Sequence, residues 1–285
     1  MPGTKEITLG SLRFDCRVAG DEKDELLILL HGFPETSVMW LPLMEDLAPK
    51  RFYCVAPNMR GYSKNACPKG KKQYAIEKLS QDVLDLAHSL GKTNFHLIAH
   101  DWGAVIGWYL AYRHSTNILS YTALSVPHLK GFFKALEIDA DQQERSKYIK
   151  MLLIPFVAEY TIRKNDFKLF RKYWQHSSEE EMENYLATFS EKKVLTAALN
   201  YYRANFGKSR TEEIGDIEVP TLFIWGNKDM AIGSKGVSLG HQHIKGPYTF
   251  LELEAGHWLM QTVYGQIKPA ILKHLAAHRT SQKKI

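Results

Sequence analysis

Residues 99–103 read Ala99-His100-Asp101-Trp102-Gly103. Ahead of them, Phe95-His96-Leu97-Ile98-Ala99 is a short apolar run suited to a buried strand. Behind them, residues 102–113 carry a helical pattern. So short a join between strand and helix forces a sharp turn, which pushes one side chain above the end of the strand. The small neighbours Ala99, Gly103 and Ala104 relieve the crowding that such a turn imposes. The side chain put on display is Asp101. A carboxylate that attacks an electrophilic carbon becomes an ester, and water must then cleave that ester at the protein's own carbonyl.

Working outward, residues 6–9 and 13–19 alternate as two strands joined at Gly10-Ser11, a hairpin. Residues 25–30 form a solid apolar strand that ends at His31-Gly32-Phe33-Pro34. A helix over 37–47, a strand over 52–57, an amphipathic helix over 76–90 and a buried strand over 119–126 follow. This alternation predicts an α/β fold, a mostly parallel sheet with helices on both faces. From 128 to 216 the chain is charged, aromatic and helical, with no buried-strand run. Strand patterns return at 221–225 and 249–253, and a last helix at 262–274. The expected organisation is a core of 1–127 and 217–285 with a helical insertion, 128–216, over the carboxyl edge of the sheet. Open α/β sheets place their ligand sites at that edge.

Composition narrows the function. The 285 residues suffice for a substantial core, and 45% apolar with 24% charged residues is ordinary for a soluble globular protein. The net charge of +6 includes Lys69-Gly70-Lys71-Lys72 and the tail 278–285, both read as solvated. No basic stripe or recognisable module points to nucleic acid. No segment approaches a membrane span, and Met1-Pro2-Gly3-Thr4-Lys5-Glu6 lacks the regions of a signal peptide. Cys16, Cys54 and Cys67 are odd in number and lack metal-ligand spacing, which fits a reducing, cytoplasmic setting.

Other chemistry-bearing residues also follow strands. Asp229 stands in Trp225-Gly226-Asn227-Lys228-Asp229, and His257 in Glu254-Ala255-Gly256-His257-Trp258. Singly, each has an ordinary alternative. Asp101 would serve as a helix cap, Asp229 as a turn former, and His257 is one of 12 histidines. Together they run nucleophile, acid, histidine, the chain order of α/β-hydrolases. Gly32 permits close backbone approach and Pro34 fixes the chain direction, so the N–H groups of Phe33 and Trp102 form a candidate oxyanion hole.

His31-Gly32-Phe33-Pro34-Glu35, Met59-Arg60-Gly61-Tyr62, His100-Asp101-Trp102-Gly103 and Gly256-His257-Trp258 together resemble the motif series of the α/β-hydrolase-fold epoxide hydrolases. The resemblance spans nearly the whole chain and implies that the insertion is that family's helical cap. It implies aspartate attack on an epoxide, with two cap tyrosines donating to the ring oxygen. Asn200-Tyr201-Tyr202-Arg203 resembles a family segment Asn-Trp-Tyr-Arg, which makes Tyr202 one donor, and Tyr148, seven residues before Pro155, matches the other. Tyr160 is the alternative should the first cap helix be misplaced. The resemblance also puts His31, Pro34, Trp102 and Tyr201 against a small-molecule epoxide, with water as second substrate and no metal or cofactor. Tyr201 departs from the family's tryptophan, and Ser63 from its common glycine. Phe132, Phe133, Phe156, Trp174 and Phe206 are candidates for an apolar pocket.

Two rivals remain at this stage. A dehalogenase shares the aspartate nucleophile, but Phe33 stands where haloalkane dehalogenases often carry asparagine. Trp102 and Val105 stand where fluoroacetate dehalogenases carry arginines. A non-catalytic binding protein on the same fold usually lacks a triad member, and here each position has a candidate.

Overall fold

The computed structural model describes residues 2–206 and 214–280. The stretch 207–213 of the expected insertion and the tail residues 281–285 lie outside the described residues. Eight strands form one sheet: β1 (Gly3–Leu9), β2 (Leu12–Ala19), β3 (Glu25–Leu30), β4 (Phe52–Pro57), β5 (Phe95–His100), β6 (Ile118–Leu124), β7 (Thr221–Gly226) and β8 (Tyr248–Leu253). Their order is β1-β2-β4-β3-β5-β6-β7-β8. β2 pairs antiparallel with both β1 and β4, and every pair from β4 to β8 is parallel. The expected mostly parallel sheet is present.

Helices cover both faces. β3 shows how the pleat divides the core: Leu26, Ile28 and Leu30 face one apolar cluster, Leu27 and Leu29 the other. On the first face lie α2 (Ile76–Ser89) and α3 (Trp102–Arg113), with Val83, Ile106 and Trp108 buried. Against the second lie α1 (Leu41–Leu47) and, late in the chain, the helix that contributes Ile267 and Ile271. The helix expected over 37–47 begins as a 3₁₀ turn, Ser37–Trp40, and becomes α-helical only at Leu41. Pro42 fits there because the first-turn N–H groups have no intrahelical acceptor.

Between β6 and β7 every described element is helical: α4 (Leu129–Ile138), α5 (Ala140–Arg145), α6 (Lys147–Leu152), α7 (Val157–Tyr173), α8 (Glu179–Ser190) and α9 (Lys192–Asn205). α7 is two helical pieces, because Asn165, Asp166 and Phe167 all take positive φ. α4 packs along α10 (Ser234–His241), which follows β7, so the insertion is anchored to the core from its first turn. The final helix expected over 262–274 divides into α11 (Leu259–Thr262) and α12 (Tyr264–Ala277). Among the described residues no helix is long and apolar enough to cross a membrane.

Candidate active site

β5 ends at His100, α3 starts at Trp102, and Asp101 between them adopts φ 50°, ψ −118°. A non-glycine residue held there is strained, and such strain persists only where the surroundings dictate it. Two glycines make the turn possible. A side chain on Gly32 would strike the Asp101 side chain, and one on Gly103 would strike the Leu30 carbonyl. The carboxylate is thereby sorted into two different oxygens. Oδ1 accepts the Phe33 N–H at 2.7 Å, whereas Oδ2 lies 3.5 Å from His257 Nε2.

His257 follows β8, and its Nδ1 lies 2.7 Å from Asp229 Oδ2. Asp229 is fully buried, and its Oδ1 accepts the N–H groups of Ala231 and Ile232 at 2.7 and 3.0 Å. With Oδ1 engaged by two backbone donors, Asp229 Oδ2 accepts the hydrogen bond of Nδ1–H, which leaves Nε2 directed at Asp101. α5 fixes this loop: Arg145 donates to the Asp229 carbonyl, while Gln142 bonds both Ala231 and Gly233. Burial works against ionising either partner, but mutual attraction wins in each. The His257 ring, with the Phe33 N–H, holds Asp101 below the usual carboxylate range. Asp229 and Asp101 together hold His257 well above the usual imidazole value.

Above Asp101, Tyr148 of α6 and Tyr202 of α9 line the same cavity. Burial foremost, then nearby negative charge, raises both phenols, so they stay protonated donors. Two apolar chambers meet here. Asp101, Tyr148, Tyr202 and His257 line both. Trp102, Phe132, Phe133 and Phe206 line the first, while Phe33, Pro34, Phe170 and Trp258 line the second.

Several expected site residues lie elsewhere. His31 is fully buried: its Nδ1 faces the Gly32 carbonyl, and its Nε2 accepts the Met59 N–H at 3.1 Å. Burial lowers it to about 4, so it stays neutral and ties down the turn rather than touching substrate. Tyr201 is also buried and donates to the Arg60 carbonyl at 2.6 Å, lining neither chamber. Trp174 is core and donates to the Pro34 carbonyl at 2.9 Å. Phe156 and Tyr160 face outward.

Sequence reasoning left Glu35, His100 and Ser125 without roles. Ser125 Oγ and His100 Nε2 both bond the His257 carbonyl, at 2.7 and 3.0 Å. His100 Nδ1 lies 2.9 Å from Glu35 Oε2, and both side chains are buried. A carbonyl only accepts, so Nε2 is the donor to His257. The pair stands behind the backbone of the catalytic-candidate histidine. Glu35 does follow Pro34 in a quoted motif, but a contact with a residue so distant in sequence is not readable from one chain.

The chain has known relatives. The α/β-hydrolase-fold family model matches residues 25–262. Epoxide hydrolase 3 of Xenopus tropicalis is 30% identical over 262 residues, covering 88% of this chain and 71% of that protein. The chain belongs to the epoxide hydrolase family of α/β-hydrolases. Human epoxide hydrolase 4 is 29% identical, covering 88% of this chain and 72% of its own. Among solved structures, a Bacillus megaterium epoxide hydrolase bound to an inhibitor superposes with a TM-score of 0.87 at 25% identity, covering 95% of this chain and all of that one. Fold alone would not have separated the possibilities. A Salmonella enterica protein described as a putative acyltransferase reaches a TM-score of 0.88 at 20% identity.

Proposed function

We propose that this epoxide hydrolase family member converts an epoxide to a vicinal diol in two steps, with the helical insertion acting as the cap that closes the site. Asp101 Oδ2 attacks one ring carbon and the carbon–oxygen bond opens. Tyr148 and Tyr202 donate to the oxygen that gains charge. Oδ1, held by Phe33, becomes the carbonyl of the resulting ester.

The second step follows from the electrostatics. Esterification removes the charge of Asp101, one of the two anions that keep the His257 proton in place. Burial remains, so His257 gives up its proton, which passes to the ring-opened alkoxide and makes it the first hydroxyl, leaving a neutral base when one is needed. Nε2 takes a proton from water, and hydroxide adds to the Asp101 carbonyl carbon. The developing charge falls on Oδ1, which faces the Phe33 N–H and, in this reading, the Trp102 N–H at the start of α3. Collapse breaks the ester C–O bond, the proton of the added hydroxyl passes to the departing alkoxide, and the diol leaves with the carboxylate restored. Asp229 keeps the imidazole in the required tautomer. These residues supply the chemistry without a metal or organic cofactor.

The observation that carries this reading is the division of one carboxylate, with one oxygen on a backbone donor and the other facing the histidine. The test is intact-protein mass spectrometry of His257→Gln after addition of styrene oxide. The expected result is a stable adduct of the epoxide's mass on Asp101 with turnover abolished. Normal turnover without an adduct would remove His257 from the second step, and halide release from a bromoalkane in place of diol would assign the chain to the dehalogenases.

A further inference from the structure

The outer face of the insertion carries an exposed apolar tip. Ile154 and Phe156, between α6 and α7, are 50 and 86% exposed, and Val157 and Tyr160 in the first turns of α7 are 47 and 68% exposed. Phe156 holds φ at 67°, a left-handed value costly for a bulky residue, and no packing of its ring compensates. Val157, Tyr160, Thr161 and Lys164 are spaced as one helix face and all exposed, while Ala158 and Ile162 face inward.

Charge surrounds the tip. Residues 147–172 hold seven Lys and Arg against two Asp and Glu, a local +5 within a chain of +6. Both acids are committed, Glu159 to Arg203 and Asp166 to Arg171. Lys150, Lys164, Lys168 and Lys172 are exposed and have no carboxylate partner among the described residues.

We propose that this tip docks the protein peripherally on an anionic phospholipid bilayer. The Phe156 ring and the body of Tyr160 suit the interface, which they enter while the Tyr160 hydroxyl stays wet. The surplus lysines complement anionic headgroups. A second copy fits worse, because twofold contact would set one cluster of +5 against another. The opposite faces of the same helices give the docking a use. Met151 and Leu152 of α6 and Ile162 and Leu169 of α7 line the second chamber. An apolar epoxide dissolved in lipid would thus meet its site a helix thickness away. That last step rests on the proposed activity; the docking does not.

Co-sedimentation of the full chain with phosphatidylcholine vesicles, with and without phosphatidylserine and with no epoxide present, tests it. Pelleting is expected only with phosphatidylserine, weakening as salt rises. Phe156→Ser with Tyr160→Ser should cut partitioning by roughly ten-fold or more. Lys164→Gln with Lys168→Gln should cut it by about 25-fold, from roughly five-fold per cation. Both variants should fold and turn over dissolved styrene oxide like the parent, since the altered side chains are solvent-facing. No pelleting, or pelleting unchanged by either variant, overturns the proposal. So does a dimer in sedimentation velocity that Phe156→Ser dissociates, which would give this face to a second copy. Diol formation without vesicle binding would leave the activity standing and the docking refuted.

Discussion

The sheet edge and the helical insertion hold their halves of the site by different means. Asp101, Asp229 and His257 stand at strand ends, each pinned by backbone N–H groups or by a neighbour at 2.7–3.5 Å. Tyr148 and Tyr202 stand on helices and are placed by apolar packing, Tyr202 edge-on to Phe33 and Trp102 and Tyr148 against the apolar core. The first kind of support fixes angles and proton positions; the second fixes depth and apolar surroundings. The edge therefore suits proton transfer and covalent chemistry, and the insertion suits stabilising charge that appears only during ring opening.

If that division holds, removing the two hydroxyls should damage only the first step. Tyr148→Phe and Tyr202→Phe should each slow alkylation by about 10²–10³-fold, the scale of one donor to a developing oxyanion. The double variant should fall further. Rapid-quench mass spectrometry would show no ester accumulating in any of them, the reverse of His257→Gln. An ester that accumulates in Tyr202→Phe would place that phenol in the water step and break the comparison.

The comparison also explains what was legible in the sequence. Core strands announce themselves as apolar runs punctuated by Gly and Pro, and the three strand-end residues fell where the alternation put them. β3, β4 and α3 match their expected spans to the residue. Helical caps carry no such punctuation. Tyr201 and Tyr202 are chemically identical neighbours, yet about 100° of helix rotation sends one hydroxyl to the Arg60 carbonyl and the other ring into the chambers. Trp174 and Phe156 share an apolar character, but one is core and the other the most exposed large apolar residue described. Residue type sets the tendency to bury, while only the packed helices decide which face is inside.

Acid should separate the two steps. Asp101 is held below its usual range, so alkylation persists until the pH falls below about 3.8, the unperturbed carboxylate value. In the ester the imidazole has lost one of its anions and keeps its burial, so hydrolysis should fail at a higher pH than alkylation does. Lowering the pH should therefore cause ester to build up, by around ten-fold for each pH unit below the histidine's value in the intermediate. Single-turnover quenching across pH measures both rates. Parallel loss of the two steps would mean that a single protonation limits both, and the two titrations would not be separate.

The smallest effect concerns the seam between the two regions. Thr36, next to the turn that carries Phe33, donates to Asn184 of α8 at 2.6 Å. Thr36→Val keeps the shape, removes the hydroxyl, leaves the Asn184 carbonyl without this donor and takes a weaker 3.4 Å acceptor from the Val38 N–H. One such bond is worth about 1 kcal/mol, which corresponds to roughly 2–4 °C in melting temperature for a chain of this size. Turnover should change little, because Phe33 and Pro34 are held independently, the latter by Trp174. An unchanged melting temperature would mean that packing alone seats the insertion here. A large loss of turnover at unchanged stability would instead show that this seam sets the height of the phenols above Asp101, and the separation between pinned edge and packed insertion would have to be redrawn.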